Sequence, residues 1–250
     1  MSSETLLEAH ALTKRFDGFT AVDAVDVAIS PGTIHSVIGP NGAGKTTFFR
    51  LLTGIERSTS GRVMFAGQDI TSRRPHAIAR RGLAQSFQIT NIFPRLSVLE
   101  SVQVAILAAR KRSRDFVSSF QRRVESAARE LLAQVGLEDV AGVQARALSH
   151  GDQRILEMTL ALATQPRLLL LDEPTAGMSP LETGRMVELV TELARAKGLT
   201  VLLSEHDMDV VFGISDRVTV LHQGRVVAEG APEQVQDDER VVEVYLGGEA

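Results

Sequence analysis

The sequence predicts an α/β fold, and two observations carry this prediction. Short runs of aliphatic and β-branched residues alternate with longer runs of helical periodicity, a rhythm typical of α/β domains. Residues 168–171 are four leucines without polar alternation, as expected for a strand that helices cover on both faces. The predicted strands of this main sheet are residues 34–38, 83–87, 168–171, 201–203 and 218–221.

Other segments predict additions to this core. Residues 8–30 and 61–70 alternate like strands, and residues 218–229 read as a hairpin, so antiparallel β elements should lie beside the parallel core. From about residue 97 to Gly136, strand signals are absent and a long helical stripe predicts a helical insertion. Another helix is predicted between Leu181 and Lys197, with Gly198 as its stop.

Composition excludes several classes of protein. The chain has no cysteine, so disulfides and thiolate metal sites are impossible, and a reducing compartment is the default expectation. The net charge of −4 argues against a nucleic-acid-binding surface across the whole chain. No apolar run approaches the roughly 18 residues of a membrane span, and the first residues lack a secretory signal, so we expect any membrane role to be peripheral.

The most specific motif is Gly-Pro-Asn-Gly-Ala-Gly-Lys-Thr at residues 39–46, a full match to the P-loop pattern G-x-x-x-x-G-K-[ST]. A predicted strand precedes it and a predicted helix follows, which lets backbone N–H groups and a helix N-terminus converge on a polyanion. We expect Lys45 to bind the β- and γ-phosphates and Thr46 to bind Mg²⁺. The predicted nucleotide-binding residues here are Gly39, Pro40, Asn41, Gly42, Ala43, Gly44, Lys45, Thr46 and Thr47.

Two carboxylates, Asp172 and Glu173, follow the run of leucines. Open α/β sheets bind ligands at the carboxyl ends of their strands, where such residues would face the P-loop. We expect Asp172 to hold Mg²⁺, directly or through water, and Glu173 to orient or polarise the attacking water. The alternative is that both carboxylates merely solvate the end of a buried strand.

Three further motifs resemble those of ATP-binding-cassette (ABC) ATPases. Leu148-Ser149-His150-Gly151-Asp152-Gln153 resembles the signature motif of that family, Gln88 in Ser86-Phe87-Gln88 resembles its Q-loop, and His206 resembles its switch histidine. The motifs occur in the family's order from Phe16 to about Glu229. The resemblance implies that Gln88 contacts Mg²⁺ and assists catalysis and that His206 contacts the γ-phosphate. It also implies that Phe16 stacks on adenine, with a core position as the alternative.

The resemblance also implies an architecture and a mode of pairing. We expect a P-loop NTPase (RecA-like) core with a mainly parallel sheet, an antiparallel β subdomain and an inserted helical subdomain. The single domain of residues 1–250 would consist of a core at 1–88 and 150–250 and a helical part at about 89–149, with the signature at its end. Ser149 and Gly151 would bind ATP held by a second cassette, identical or paralogous.

Departures from the family pattern concern the pairing surface. His150 replaces the first glycine of the signature, Asp152 replaces its glutamine, and Ser179 stands where an aspartate is usual. Ser149 and Asp152 have capping-box spacing, which predicts a helix start and a carboxylate folded back onto it. Because Ser179 stands at this position, the sequence does not predict how the two ATP sites communicate.

Single-cassette chains of this kind resemble the separate ATPase subunits of prokaryotic importers. The resemblance implies two integral-membrane permease partners, an indirect periplasmic solute-binding protein and a peripheral position on the cytoplasmic face of the inner membrane. Residues 89–96 are the predicted permease-docking stretch; packing of this loop on its own helices is the alternative. The closing residues 244–248 look most like subunits for branched-chain amino acids. Urea or amide import, lipopolysaccharide export and a non-transport ABC ATPase stay as alternatives.

Overall fold

The computed structural model describes residues 5–86, 93–109 and 118–246. Its strands are β1 (Leu7–Phe16), β2 (Phe19–Ile29), β3 (Ile34–Ile38), β4 (Ser60–Phe65), β5 (Gln68–Asp69), β6 (Leu83–Ser86), β7 (Leu168–Asp172), β8 (Thr200–Ser204), β9 (Arg217–His222) and β10 (Arg225–Gly230). Its helices are α1 (Lys45–Leu52), α2 (Pro75–Ala79), α3 (Val98–Ala109), α4 (Ser118–Gln134), α5 (His150–Leu162), α6 (Pro180–Lys197), α7 (Met208–Ile214), α8 (Pro232–Gln236) and α9 (Glu239–Leu246), with a 3₁₀ turn at Ala145–Ala147.

The main sheet has six strands in the order β10-β9-β3-β8-β7-β6. All neighbours pair in parallel except β9 and β10, which form the predicted antiparallel hairpin. Every residue of β3, β7 and β8 is buried, which agrees with the four successive leucines of β7 and extends to the polar His35 and Ser36 of β3. Residue 87, the predicted end of β6, lies outside the described residues.

The leucines of β7 divide between two cores because successive side chains of a strand point to opposite faces. Leu168 and Leu170 join a core with the buried Phe48 and Phe49 of α1 and with the second sheet, whose order is β2-β1-β4-β5. That sheet is antiparallel throughout, as predicted. Helix α1 is thereby held between the two sheets.

Leu169 and Leu171 face the second core, which contains side chains of α3, α4, α5 and α6. The segment predicted to be helical contains α3 and α4, and Gly136 ends it with a φ of 70°. Gly198 ends α6 in the same left-handed conformation, as predicted. Within the described ranges, no helix has the length and apolar content that a bilayer crossing requires.

Candidate nucleotide-binding and hydrolysis site

Parallel pairing brings the predicted site residues to one edge of the main sheet. Strand β8 lies between β3 and β7, and all three run in the same direction. The P-loop follows β3, Asp172 and Glu173 lie at the end of β7, and His206 follows β8. Three segments that are far apart in sequence therefore meet where α/β sheets bind ligands.

The P-loop backbone bends where no side chain would fit. Gly39 has a φ of 148°, and a Cβ on it would lie 2.1 Å from the Leu221 carbonyl oxygen. Gly44, the N-cap of α1, has a φ of 103°, and its Cβ would lie 2.3 Å from the Ala21 carbonyl oxygen. These contacts with β9 and β2 explain why the motif needs glycine at both positions.

Lys45 is the first residue of α1, and its side chain is buried within the P-loop bend. Its Nζ donates to the Gly39 carbonyl at 2.6 Å and to the Pro40 carbonyl at 3.2 Å. Burial lowers the pKa of Lys45, while the nearby carboxylates of Glu173 and Asp172 oppose this shift. The ammonium group is thus held at the bend, where an anionic ligand would be a favourable partner.

Asp172 is buried at the end of β7, where the Ser204 hydroxyl of β8 donates to its Oδ1 at 2.6 Å. Burial raises the pKa of Asp172, and the charge of Glu173 adds to this shift, while Ser204 and Lys45 oppose it. A nearby cation would stabilise the ionised form of such a buried carboxylate. With the hydroxyl of Thr46 it offers hard oxygen donors, which fit Mg²⁺ that keeps waters and phosphate oxygens as its other ligands. Gln88 lies outside the described residues.

Glu173 has a φ of 51°, an uncommon left-handed conformation for a residue with a Cβ. Its backbone N–H donates to the Ser204 carbonyl at 3.0 Å, which fixes this bend to β8. The side chain projects to His206, whose Nε2 lies 2.6 Å from Glu173 Oε1. Two of the residues that the sequence assigns to catalysis are therefore in direct contact.

The signature segment begins α5, and a carboxylate from α6 covers it. Ser149 is the N-cap and accepts from the Asp152 N–H at 3.1 Å. The Gly151 N–H donates to Glu182 Oε1 at 3.0 Å, and the nearby Ser149 hydroxyl helps to lower the pKa of the same carboxylate. Both signature residues predicted to bind ATP thus lie beside an anionic group of their own chain.

The predicted fold-back of the Asp152 carboxylate is wrong. Its Oδ1 instead accepts from Arg185 of α6 at 3.2 Å, so only the Ser149 half of the capping box forms. The physical reason is that α6 supplies both a cation for Asp152 and, through Glu182, another carboxylate for the start of α5.

The other two departures are accommodated locally. The His150 ring packs beside Gly177, and its Nε2 lies 3.2 Å from the Ala176 carbonyl oxygen. Ser179 is the N-cap of α6 and forms a complete capping box with Glu182.

Phe16 lies at the tip of the β1–β2 hairpin and does not enter the core, so that alternative is wrong. It stacks on Phe19 with ring centroids 5.5 Å apart, and Lys14 Nζ lies 4.7 Å from the centre of its ring. Because Ala21 of the same hairpin touches Gly44, this exposed aromatic pair lies on the P-loop side of the molecule.

Sequence reasoning missed three supporting residues. Ser204 donates to Asp172, Glu182 accepts from Gly151 of the signature, and Tyr245 of α9 lies beside the Gly39 backbone. Burial raises the pKa of Tyr245 to about 12. No spacing rule links these pairs, since their members are 32, 31 and 206 positions apart in the sequence.

A largely apolar groove of about 450 Å³ lies apart from the P-loop, with walls formed by α2, β6, α3 and α5. Three exposed hydrophobic side chains, Ile55, Phe93 and Val104, line it. Phe93 belongs to the predicted docking stretch, of which residues 89–92 lie outside the described ranges. An apolar surface of this kind marks a place where another chain can bind.

Comparison with known protein families matches residues 22–176 to the family described as "ABC transporter". The chain belongs to this family. Residues 225–250 of the cassette also match the family described as "Branched-chain amino acid ATP-binding cassette transporter". The family and the fold class inferred from the sequence are thereby confirmed.

Individual relatives of this ABC cassette agree. It is 39% identical to the "High-affinity branched-chain amino acid transport ATP-binding protein BraF" of Pseudomonas aeruginosa, over 98% of this chain and 99% of the relative. It is 35% identical to the "Lipopolysaccharide export system ATP-binding protein LptB" of Haemophilus influenzae, over 97% and 98% of the two chains. Among solved structures, a dimeric post-hydrolysis state of the ATP-binding cassette MJ0796 bound to ADP and Pi has a TM-score of 0.77, with 25% identity over 91% of this chain and 99% of that one.

Replacing the buried carboxylate of Asp172 should stabilise the nucleotide-free cassette. A raised pKa means that ionisation of Asp172 destabilises the folded state. This destabilisation is complete at pH values above the raised pKa and disappears well below the ordinary pKa of 3.8. Asp172→Asn should therefore raise the melting temperature at pH 8, and this gain should shrink as the pH falls through the raised pKa. Thermal unfolding with a chelator from pH 5 to pH 8 measures it, and exposed Asp209→Asn is the control. A lower melting temperature at pH 8 would contradict the assignment.

Proposed function

We propose that this cassette hydrolyses ATP to ADP and phosphate as the energising subunit of an importer. The observation that carries the proposal is the Glu173–His206 pair at the sheet edge that also holds the P-loop. The ABC family match and the post-hydrolysis state of the similar dimeric cassette support the same reaction.

The P-loop residues would bind the triphosphate. The N–H groups at the start of α1 and the ammonium of Lys45 supply donors and positive charge for the β- and γ-phosphates. Adenine would stack on Phe16, which the Phe19 ring supports. Thr46 and Asp172, with Gln88, would hold Mg²⁺, which supplies charge neutralisation at the β- and γ-phosphates.

Glu173 and His206 would carry the chemistry. The Glu173 carboxylate accepts a hydrogen bond from the water that attacks the γ-phosphorus, so the oxygen lone pair points at phosphorus as the bond to the β-phosphate oxygen breaks. His206 contacts Glu173 at 2.6 Å and would fix its orientation while reaching the γ-phosphate. Glu173 follows the last residue of β7 with a left-handed backbone bend, and this position would let its carboxylate face a bound nucleotide.

One chain does not complete the site in this proposal. Ser149 and Gly151 lie at the start of α5, whereas the P-loop would bind phosphates at the start of α1. The two signature residues would therefore bind ATP held by a facing cassette. The dimeric state of the similar cassette MJ0796 supports such pairing. Two ATP molecules between two cassettes would then close the dimer, and hydrolysis would reopen it.

Replacing Glu173 by Gln should abolish ATP turnover while ATP still binds, because the amide cannot take the proton of the attacking water. We expect a loss of at least about a hundredfold in turnover rate and accumulation of an ATP-dependent dimer. Phosphate release and size-exclusion chromatography measure the two effects. The same substitution at exposed Glu188 is the matched control. A Glu173→Gln chain with full turnover would remove Glu173 from this role.

The apolar groove would receive a short helix from the membrane permease. Its exposed Ile55, Phe93 and Val104 offer an apolar surface that water solvates poorly. The groove borders β6, and Gln88 follows the end of β6 by two positions in the sequence. Docking there would place the cassette peripherally on the cytoplasmic face of the inner membrane.

Branched-chain or related amino acids are the proposed solutes. The BraF relative and the match of residues 225–250 support this choice, and lipopolysaccharide export is the weaker alternative supported by the LptB relative. The solute would pass through two permease subunits after delivery by a periplasmic binding protein, so no residue of this chain selects it. The assignment therefore depends on relatedness rather than on a solute pocket.

A charge in the groove should uncouple transport. Val104→Glu should abolish leucine uptake by cells that co-express the cassette with its proposed permease and binding-protein partners, because an apolar contact would bury an unpaired carboxylate. ATP hydrolysis by the isolated cassette should persist. Val242→Glu, at a similarly exposed position outside the groove, should retain uptake. Normal leucine uptake by the Val104→Glu complex would contradict docking here, and uptake of urea alone by the parent complex would contradict the solute.

A further inference from the structure

The Glu182 carboxylate accepts three hydrogen bonds, one of which comes from the signature. It accepts from the Ser179 N–H at 2.9 Å and from the Ser179 hydroxyl at 2.8 Å, which completes the N-terminal cap of α6. It also accepts from the Gly151 N–H at 3.0 Å, and the Ser149 hydroxyl lies close enough to help lower its pKa. These bonds lower the pKa of Glu182, so the group is an anion at neutral pH.

Glu182 also covers the space above the signature glycine. A Cβ on Gly151 would lie 2.6 Å from Glu182 Oε1 and 2.7 Å from its carboxyl carbon. The Glu182 carboxylate therefore lies against the signature donors and covers the open side of Gly151. In the proposed function, the γ-phosphate of ATP bound to the second cassette takes this position. Both groups are anionic, so they cannot share these donors without strong repulsion.

The surroundings of Glu182 indicate a surface that another chain covers. Leu181, its neighbour at the start of α6, is 80% exposed, the largest exposure among the large hydrophobic residues in the described part of the chain. Arg185, one turn further along α6, binds Asp152 of α5 at 3.2 Å. The first turns of α5 and α6 are thus tied together by Glu182 and Arg185 beside an exposed leucine.

We propose that Glu182 is a positioning residue that occupies the signature donors until ATP bound to a second copy displaces it. The carboxylate satisfies the first turn of α5 in the open state and so holds Ser149 and Gly151 in place for phosphate. Displacement opposes closure, so Glu182 sets the ATP concentration at which two cassettes pair. This inference rests on the proposed ATP sandwich.

Glu182→Gln separates this role from the structural one. Glutamine at this position retains a capping box with Ser179, because the amide oxygen still accepts from the N-cap. Its neutral oxygen makes weaker hydrogen bonds than a carboxylate and does not repel phosphate. Glu188→Gln on the same helix removes an equal charge at an exposed position away from the signature.

The test measures ATP-dependent dimerisation in the Glu173→Gln background, where turnover does not consume the ligand. Light scattering during ATP titration gives the midpoint for the parent and for versions carrying Glu182→Gln or Glu188→Gln. Because the glutamine side chain competes less strongly with phosphate for the signature, Glu182→Gln should lower the ATP concentration at the midpoint about fivefold. Glu188→Gln should leave this concentration unchanged. Binding of ATP to monomers at low protein concentration should be equal in all three, since Glu182 does not serve its own P-loop.

Each outcome decides a different claim. An unchanged or higher midpoint for Glu182→Gln, with the parent dimerising and monomer binding intact, overturns the role of Glu182. A parent that binds ATP and never dimerises overturns the sandwich itself and, with it, this inference. If Glu182→Gln lowers the melting temperature, Glu182→Asp provides the second measurement, since it retains the charge and should keep the midpoint at or above the parent value.

Discussion

The parallel pairing of β3, β8 and β7 is the constraint on which the rest of the molecule depends. It places the P-loop, His206 and the two carboxylates at one sheet edge, although the chain between them spans more than a hundred residues. The pairing is stable because the three strands are wholly buried between two cores, one with α1 and the second sheet, the other with α3 to α6. The same burial shifts the pKa values of Lys45 and Asp172, so both groups favour a charged ligand.

Local sequence predicted the elements and the P-loop because their causes are local. Four leucines in a row define a buried strand, and the glycines at 39 and 44 are required where β9 and β2 approach within contact of the backbone. Strand order brings Glu173 to His206, a contact that the sequence analysis did not predict, since neither residue alone has a distinctive spacing. The contact of Ser204 with Asp172 follows from the pairing of β7 with β8 and was not predicted, since a serine after a leucine run carries no signal.

The start of α5 shows where local reasoning fails. The spacing of Ser149 and Asp152 predicted a reciprocal cap, and half of it forms. Helix α6 supplies stronger, charged partners from about 30 residues away, Arg185 for Asp152 and Glu182 for Gly151. Leu181, next to Glu182 in the sequence, is exposed, and the signature contacts Glu182 and Arg185 of its own chain. An exposed leucine beside the signature agrees with an ATP site that a second cassette completes.

Disulfide trapping tests the central claim, that the P-loop of one cassette faces the signature of another. The chain has no cysteine, so each engineered thiol reports one position only. Chains with Glu173→Gln and either Asn41→Cys or His150→Cys, both exposed positions, are mixed and oxidised with ATP, with ADP or without nucleotide. The account predicts a disulfide between the two different chains that forms with ATP alone. Cross-links between identical positions, or no cross-link when both chains bind ATP, would contradict it.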